Sequence, residues 1–343
     1  MSTEPPVRFA AIGLNHNHIY AQVNLLLRAG AELAAYYAPE PELRAEFERA
    51  FPQARLAPSA EAILDDEGIA LIVTAAIPAE RAGLGLRAMQ HGKDVMSDKP
   101  AFTTLEQLAQ ARQAQAAAGR IYSVCFSERF ESRATVRAAE LARGGALGRV
   151  VQTVGLGPHR ANLHLRPEWF FRRAAYGGIL TDIGAHQADQ FLYFTGSASA
   201  EVVAAQVGNF AHPLHPELED FGDMQFRSPR ATGYARVDWY TPDGLETWGD
   251  GRLFVLGSEG YLEVRKYADV GGRPGGDHLI WVDGAGPHVE DCRDGDLPYG
   301  RQLIADIRQR TETAMSQAHC FLACELALQA QTMADRLGNL QQR

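Results

Sequence analysis

Over its first 126 residues the chain repeats one rhythm: a short apolar run, a polar turn, then an amphipathic segment. The apolar runs are Val7–Ile12, Leu33–Tyr37, Ile69–Thr74, Asp94–Met96 and Ile121–Phe126. Between them Ile19–Arg28, Glu42–Ala50, Ala60–Asp65, Pro78–Gln90 and Thr104–Ala118 read as helices, several stopped by glycine. Strands alternating with helices at this spacing predict an α/β unit, a parallel sheet covered on both faces.

The rhythm changes after a helix over Phe130–Arg143, which Gly144 and Gly145 close. Val150–Gly157, Ala200–Phe210, Phe221–Phe226, Ala231–Tyr240, Arg252–Leu256 and Tyr261–Tyr267 then read as strands, with His186–Phe194 the main helix among them. Few helices intervene, so an open, mostly antiparallel sheet is expected. The run Gly271–Gly276 reads as loop, and Tyr299–Thr313 and His319–Leu337 as closing helices. Two domains follow: residues 1–126, and residues 127–343, a second α/β domain that includes the closing helices.

Composition narrows the class of function. A formal net charge of -9 argues against a nucleic-acid surface, which rewards basic patches. The best apolar stretch, Ile69–Ile77, suits a buried strand and is too short to span a bilayer, so no membrane partner is expected. The start shows no basic region followed by a long apolar one, and Cys125, Cys292, Cys320 and Cys324 form no ladder of close pairs; a cytoplasmic location with free thiols is expected. His319 with Cys320 and Cys324, and the cluster His212, His215, Glu217, Glu219 and Asp220, have the residue types of metal ligands. No local framework brings either set together, and no metal is expected.

The first strand runs into Gly13-Leu14-Asn15-His16-Asn17-His18. A dinucleotide fingerprint would carry glycine at positions 13, 15 and 18; here only Gly13 remains. Helix-start amides still favour phosphate, and Asn15 or His16 adds hydrogen-bonding capacity; an ordinary capped helix start is the competing reading. The second strand ends Tyr36-Tyr37-Ala38-Pro39-Glu40, without an acid in the usual place for the adenosine ribose. Tyr37 is a candidate to stack on adenine and Glu40 to reach back. No arginine precedes Arg44 to meet a ribose phosphate, so NAD is expected, with NADP possible.

Tyr176–Phe191, YGGILTDIGAHQADQF, places Asp182 four residues before His186 beside two glycine turns. The 33 basic residues include only three lysines, Lys93, Lys99 and Lys266, and Lys99 lies in Asp98-Lys99-Pro100. Oxidising a secondary alcohol needs a proton acceptor beside the hydroxyl, and histidine has the right ordinary pKa. An ammonium polarises the oxygen, and a carboxylate holds substrate hydroxyls or sets the ring. His186, Lys99 and Asp182 meet that description; a structural histidine, a surface lysine and a simple N-cap for the next helix are the competing readings. Upstream, His159, Arg160, His164, Arg166 and Trp169 fall in one polar and aromatic loop of the kind that binds a sugar.

These motifs make the chain similar, over nearly its full length, to the glucose-fructose oxidoreductase, inositol dehydrogenase and rhizopine-catabolism (Gfo/Idh/MocA) family. The family's G-G-x-L-x-D-x-G-x-H is present as Gly177, Gly178, Leu180, Asp182, Gly184 and His186, and its E-K-P as Asp98-Lys99-Pro100. The resemblance implies an N-terminal Rossmann domain, a C-terminal α/β domain with an open sheet, and a homodimer or homotetramer through that sheet. It also implies that Lys99, Asp182 and His186 are catalytic and that Thr74, Ala75 and Pro78, with Gly13, Leu14, Asn15, His16, Tyr37 and Lys99, contact the cofactor. The substrate site it implies adds His159, Arg160, His164, Arg166 and Trp169 to the catalytic three. The expected function is NAD(P)-dependent hydride transfer from a secondary alcohol of a sugar, cyclitol or sugar derivative. Two alternatives stand: bound nicotinamide used transiently in sugar rearrangement or glycoside cleavage, and a non-catalytic ligand-binding or regulatory homologue.

Overall fold

The alternating runs of the first half fold as six parallel strands in a computed structural model that describes residues 5–337. They are β1 (Arg8–Ile12), β2 (Glu32–Tyr37), β3 (Arg55–Leu56), β4 (Leu71–Thr74), β5 (Asp94–Asp98) and β6 (Tyr122–Cys125), in the order β3-β2-β1-β4-β5-β6. The order reverses between β1 and β4, and that reversal opens a crevice at the carboxyl ends of the strands. The helices α1 (His18–Arg28), α2 (Pro41–Ala50), α3 (Ala60–Leu64), α4 (Pro78–Gln90) and α5 (Leu105–Ala118) connect them. Local chemistry sets their ends: Ser59 and Thr104 cap α3 and α5 through side-chain oxygens, and Gly119 ends α5 at φ 61°. β3 is two exposed residues long, too short to leave a periodic signal.

The remaining elements are α6 (Ser127–Phe130), α7 (Arg133–Arg143), β7 (Val150–Pro158), α8 (Arg173–Tyr176), α9 (Ile179–Asp182) and α10 (Gly184–Thr195). They continue with β8 (Glu201–Gly208), β9 (Phe221–Arg227), β10 (Thr232–Asp238), β11 (Arg252–Gly257), β12 (Tyr261–Arg265), β13 (His278–Asp283) and β14 (Gly286–Asp291). The chain closes with α11 (Tyr299–Gln309), α12 (Gln317–Met333) and β15 (Asp335–Arg336). The second sheet has nine strands ordered β14-β13-β12-β11-β7-β10-β9-β8-β15. Only the β7–β10 and β8–β15 pairs are parallel, so the sheet is mixed and mostly antiparallel.

One face of that sheet is packed by α7 and α10. Ala134 and Ala138 of α7 join Leu253, Val255, Leu262, Val264 and Leu279 in a buried apolar cluster. α10 lies on β7 because two glycines leave room for it. A Cβ on Gly155 would stand 2.1 Å from Gln187 Oε1, and one on Gly157 2.9 Å from Gln187 Nε2. The strands alternate, so their other face carries Val154, Leu156 and Phe254 half-buried and Leu256 and Tyr261 exposed.

Several boundaries differ from the sequence reading. The expected helix over residues 130–143 is two helices, because Ser132 accepts from Thr135 N at 3.3 Å and starts α7 afresh. The β13–β14 hairpin was missed; its Asp283 Oδ1 accepts from Ala285 N at 2.9 Å and closes the turn. The last helix stops at Met333 and the chain then pairs with β8, so it does not run to Leu337. Asp182 ends α9 and Ile183 precedes α10, so the competing reading of Asp182 as an N-cap for that helix does not hold. By internal contacts the chain divides into Met1–Cys125 with Pro298–Phe321, and Phe126–Leu297 with Leu322–Arg343. The sequence reading put both closing helices in the second domain; α11 and the start of α12 group with the first unit. Tyr299 Oη meets Ser123 Oγ at 2.7 Å, and Gln317 Oε1 accepts from Tyr122 N at 2.8 Å. Residues 338–343 of that expected domain lie outside the described residues.

Candidate active site

The first turn keeps the one glycine it cannot lose. Gly13 stands at φ 77°, and a Cβ there would lie 2.5 Å from Ala76 Cβ. Its N–H donates to Tyr37 O at 3.0 Å, and its carbonyl accepts from Ala75 N at 3.1 Å. Leu14 is buried, and His16 N donates to Ala75 O at 2.9 Å. Thr74 Oγ1 accepts from Ala76 N at 3.2 Å, which fixes the turn after β4, and Pro78 begins α4. Gly13, Asn15, Tyr37, Glu40, Glu80 and Arg87 line a cleft of about 390 Å³ at this end of the sheet. The Asn15 amide donates to Glu40 Oε1 at 2.9 Å, and Glu40 Oε2 accepts no hydrogen bond among the described residues. Burial, then Glu40, raises the Glu80 carboxyl above its usual value, a mark of two acids in one cleft. These residues fit a dinucleotide: the glycine leaves backbone space, and an acid lines the cleft after the second strand, where ribose hydroxyls are read.

The missing glycines are replaced by residues with other work. His18, at the third glycine position, brings its Nδ1 to Asp98 Oδ1 at 2.9 Å, and His16 Nδ1 lies 3.7 Å from Asp98 Oδ2. Arg81, fully buried, completes the group: Nη2 stands 3.1 Å from Asp98 Oδ2, Nε donates to Ala76 O at 2.7 Å, and Nη1 donates to Lys99 O at 2.7 Å. Burial opposes ionisation of Asp98, yet His18 and Arg81, with the His18 hydrogen bond and His16, hold its carboxyl well below the usual range. Burial, then His18, keeps the His16 imidazole well below its ordinary value. Lys99 is buried directly after β5, its main chain held by Arg81 and its bond to Pro100 cis. His16, His18 and Asp98 offer ligand atoms within 4.8 Å of one another, but the Arg81 guanidinium already occupies the same carboxylate, and a cation would meet its charge. Arg81 and His18 were not among the expected site residues; a buried arginine on a helix leaves no periodic signature.

In the second unit the glycine motif is a bend that presents Asp182 and His186. Gly177 and Gly178 stand at φ 91° and 95°, and a Cβ on Gly178 would lie 2.2 Å from Gln331 Oε1. The buried amides at the start of α9, which have no partner within the helix, are met by residues distant in sequence: Leu180 N donates to Gln331 Oε1 at 2.9 Å and Ile179 N to Glu219 Oε2 at 3.0 Å. Gln331 Nε2 donates to the same Glu219 oxygen at 3.0 Å. Tyr176 Oη joins the anchor, donating to Glu217 O at 3.1 Å and accepting from Glu219 N at 3.0 Å. His186 is the third residue of α10, buried, with Phe126 edge-on at 6.3 Å between ring centroids. The acids of the 212–220 cluster are thus structural: Glu217 and Glu219 hold the motif, and Asp220 accepts from Phe210 N and Ala211 N.

The expected substrate loop divides. Arg166 lies over the Phe170 ring at 4.4 Å; burial lowers its pKa and Asp182 opposes that, so the two side chains share a field. His159 follows β7, with Nδ1 3.1 Å from Gly157 O and its ring 4.4 Å from that of Trp248. Arg160 is engaged elsewhere: its guanidinium donates to Pro242 O at 3.0 Å and to Leu245 O, pinning the 242–245 turn. His164 is exposed, and Trp169 is half-buried against Phe170.

A six-stranded Rossmann sheet with a nucleotide cleft, joined to a mixed sheet that carries an Asp–His bend, defines the class of nicotinamide-dependent oxidoreductases. Residues 7–126 match the oxidoreductase family NAD-binding Rossmann fold, and residues 135–263 match the GFO/IDH/MocA C-terminal domain. A crystal structure of a protein from Erwinia carotovora atroseptica SCRI1043 is 47% identical, with a TM-score of 0.94, over 97% of this chain and 100% of that one. The scyllo-inositol 2-dehydrogenase (NAD(+)) of Bacillus subtilis is 25% identical over 268 residues, 76% of this chain and 74% of its own. The levoglucosan dehydrogenase of Pseudarthrobacter phenanthrenivorans is 28% identical over 163 residues, 47% of this chain and 42% of its own. The chain belongs to the Gfo/Idh/MocA family of NAD(P)-dependent oxidoreductases.

Proposed function

We propose that the protein oxidises a secondary alcohol of a sugar, cyclitol or sugar derivative, with Lys99, Asp182 and His186 as its catalytic residues. The observation that carries the reading is the Asp182–His186 bend, braced by Gln331 and Glu219, in a chain whose other unit is an NAD-binding Rossmann domain. Relatives named as scyllo-inositol and levoglucosan dehydrogenases support the substrate class.

Gly13, Leu14, Asn15, His16, Tyr37, Thr74, Ala75, Pro78 and Lys99 would hold the nucleotide. NAD, when bound, supplies the acceptor for the hydride that leaves the carbinol carbon. His186 takes the hydroxyl proton, Lys99 polarises the oxygen, and Asp182 orients substrate and imidazole. His159 and Arg166 bind further hydroxyls, while His164 and Trp169 border them. Glu40 favours NAD over NADP, because a carboxylate lining this cleft suits ribose hydroxyls and would repel a ribose phosphate. The half-buried Val154, Leu156 and Phe254 support a homodimer or homotetramer through the second sheet. Among the described residues no helix is long and apolar enough to cross a membrane.

The test is reduction of NAD and NADP across polyols, aldoses and uronates. Lys99→Ala and His186→Ala are each expected to lower turnover by roughly 10²–10⁴-fold with the fold intact. Unchanged rates in either variant would remove its assigned role.

A further inference from the structure

Glu128 and Lys266 form a buried charge pair that the proposed chemistry does not use. Glu128 lies on α6 with its side chain 1% exposed, and Lys266, just after β12, is 0% exposed. Lys266 Nζ meets Glu128 Oε2 at 2.5 Å. The same oxygen accepts from Gln187 Nε2 at 2.9 Å and Gln190 Nε2 at 3.4 Å. Both glutamines belong to α10; Gln187 follows His186 directly, and Gln190 Nε2 also donates to the His186 carbonyl at 3.0 Å. Glu128 Oε1 is buried and has no hydrogen-bond partner among the described residues.

Burying two charges costs several kcal/mol per ion, and a well-packed apolar pair often does as well for stability. A pair kept in this place therefore invites a functional account. Burial opposes ionisation of Glu128, but Lys266, then His186 and His159, hold its carboxyl at about 2. The same two helices also carry the buried Arg129–Asp189 pair, whose contacts from α6 to α10 are 2.7 Å, and beside Lys266 stands Tyr267, whose hydroxyl is pushed well upward by burial, then Glu128, Glu131 and Asp277.

We propose that Glu128, kept ionised by Lys266, is a positioning residue for His186: its carboxylate offsets the positive charge that the imidazole gains on taking the substrate proton, and through Gln187 and Gln190 it fixes the first turns of α10. Lys266 ensures that Glu128 stays a carboxylate, so the proton leaving the hydroxyl rests on His186. The inference deepens the function proposed above and rests on His186 being the base.

The test is a nuclear magnetic resonance titration of the imidazole signals in the full chain, with the His186 signal identified by its loss in H186N. In wild type and in E128D, which keeps the charge, His186 titrates at similar pH. In E128Q its midpoint falls by about one unit, and the His186-dependent limb of the kcat–pH profile moves the same way. If E128Q does not fold, E128Q/K266M removes both charges; there the midpoint still falls, by less, since loss of the ammonium offsets part of the change. A purely structural Glu128 would alter thermal stability and leave the midpoint in place. An unmoved His186 midpoint in whichever variant folds overturns the inference. Turnover that survives H186A overturns instead the assignment of His186 as base, and the two failures are distinguished by which variant is silent.

Discussion

Replacing Arg81 with methionine strips one buried guanidinium from three main-chain acceptors and an ion pair at once. Its partners are Asp98 Oδ2 at 3.1 Å and the carbonyls of Ala76 at 2.7 Å, Lys99 at 2.7 Å and Pro100 at 3.1 Å. Asp98 is 1% exposed, so its charge would lose a permanent counter-charge with no water to replace it. Breaking a buried pair from one side costs about 3–5 kcal/mol. For a unit of this size that corresponds to a fall in Tm of about 10 °C. The expected sign with pH follows from Asp98, whose folded pKa is depressed: the stability it contributes is present above the ordinary carboxylate value and is lost as pH falls through the folded one. Removing Arg81 raises the folded value and flattens that dependence. The assay is thermal unfolding by circular dichroism between neutral and acid pH, for wild type, Arg81→Met, Asp98→Asn and the double variant. The double variant should recover part of the loss, because no uncompensated carboxylate remains. A Tm for Arg81→Met within about 1 °C of wild type, or costs that simply add, would refute the idea that Asp98 depends on Arg81.

Gly13→Ala forces a positive φ on a residue whose Cβ would lie 2.5 Å from Ala76 Cβ; a loss of at least about 1–2 kcal/mol and weaker NAD binding are expected, read by denaturant unfolding and calorimetric titration. Glu40→Ala should narrow the preference for NAD over NADP on the order of tenfold, since one charge near the ribose is worth about 1 kcal/mol or more; the ratio of the two Kd values measures it. Gln331→Ala leaves the Leu180 amide without its acceptor at 2.9 Å; a cost of about 1–3 kcal/mol and a raised KM, through a displaced Asp182, are expected from unfolding and steady-state kinetics. Glu128, depressed from 4.5 to about 2, contributes stability that is full above pH 4.5 and lost as pH falls toward 2; that amounts to about 3 kcal/mol, and an acid-unfolding curve of E128Q should lack it.

Much of the first unit was legible because a buried strand and an amphipathic helix each write a period into the chain. Pro78–Gln90 is a helix over the residues read, and the first sheet differs mainly by the two-residue β3. The second unit was less legible where a strand lacks an apolar face: β14 alternates between half-buried and exposed residues, so it offered only the Asp283-Gly284 turn as a signal. Asp182 and His186 were singled out by their spacing, but what braces that segment was not. Leu180 meets Gln331 across 151 residues, and Glu128 meets Lys266 across 138. No window of sequence contains both members of such a pair.

What the sequence determined by itself is the strand–helix alternation of the first unit, the single irreplaceable glycine of the first turn, and the local Asp–His spacing. Each depends on neighbours within a few residues, where backbone sterics and periodicity act. Tertiary structure alone decided what the degraded fingerprint does: Asn15 is tied to Glu40, and His18 and Arg81 converge on Asp98. It also decided that Arg160 braces a turn and that Glu128 is a buried anion. A charge gains its meaning from burial and from the counter-charge folding brings to it, and neither quantity exists until distant segments have packed together.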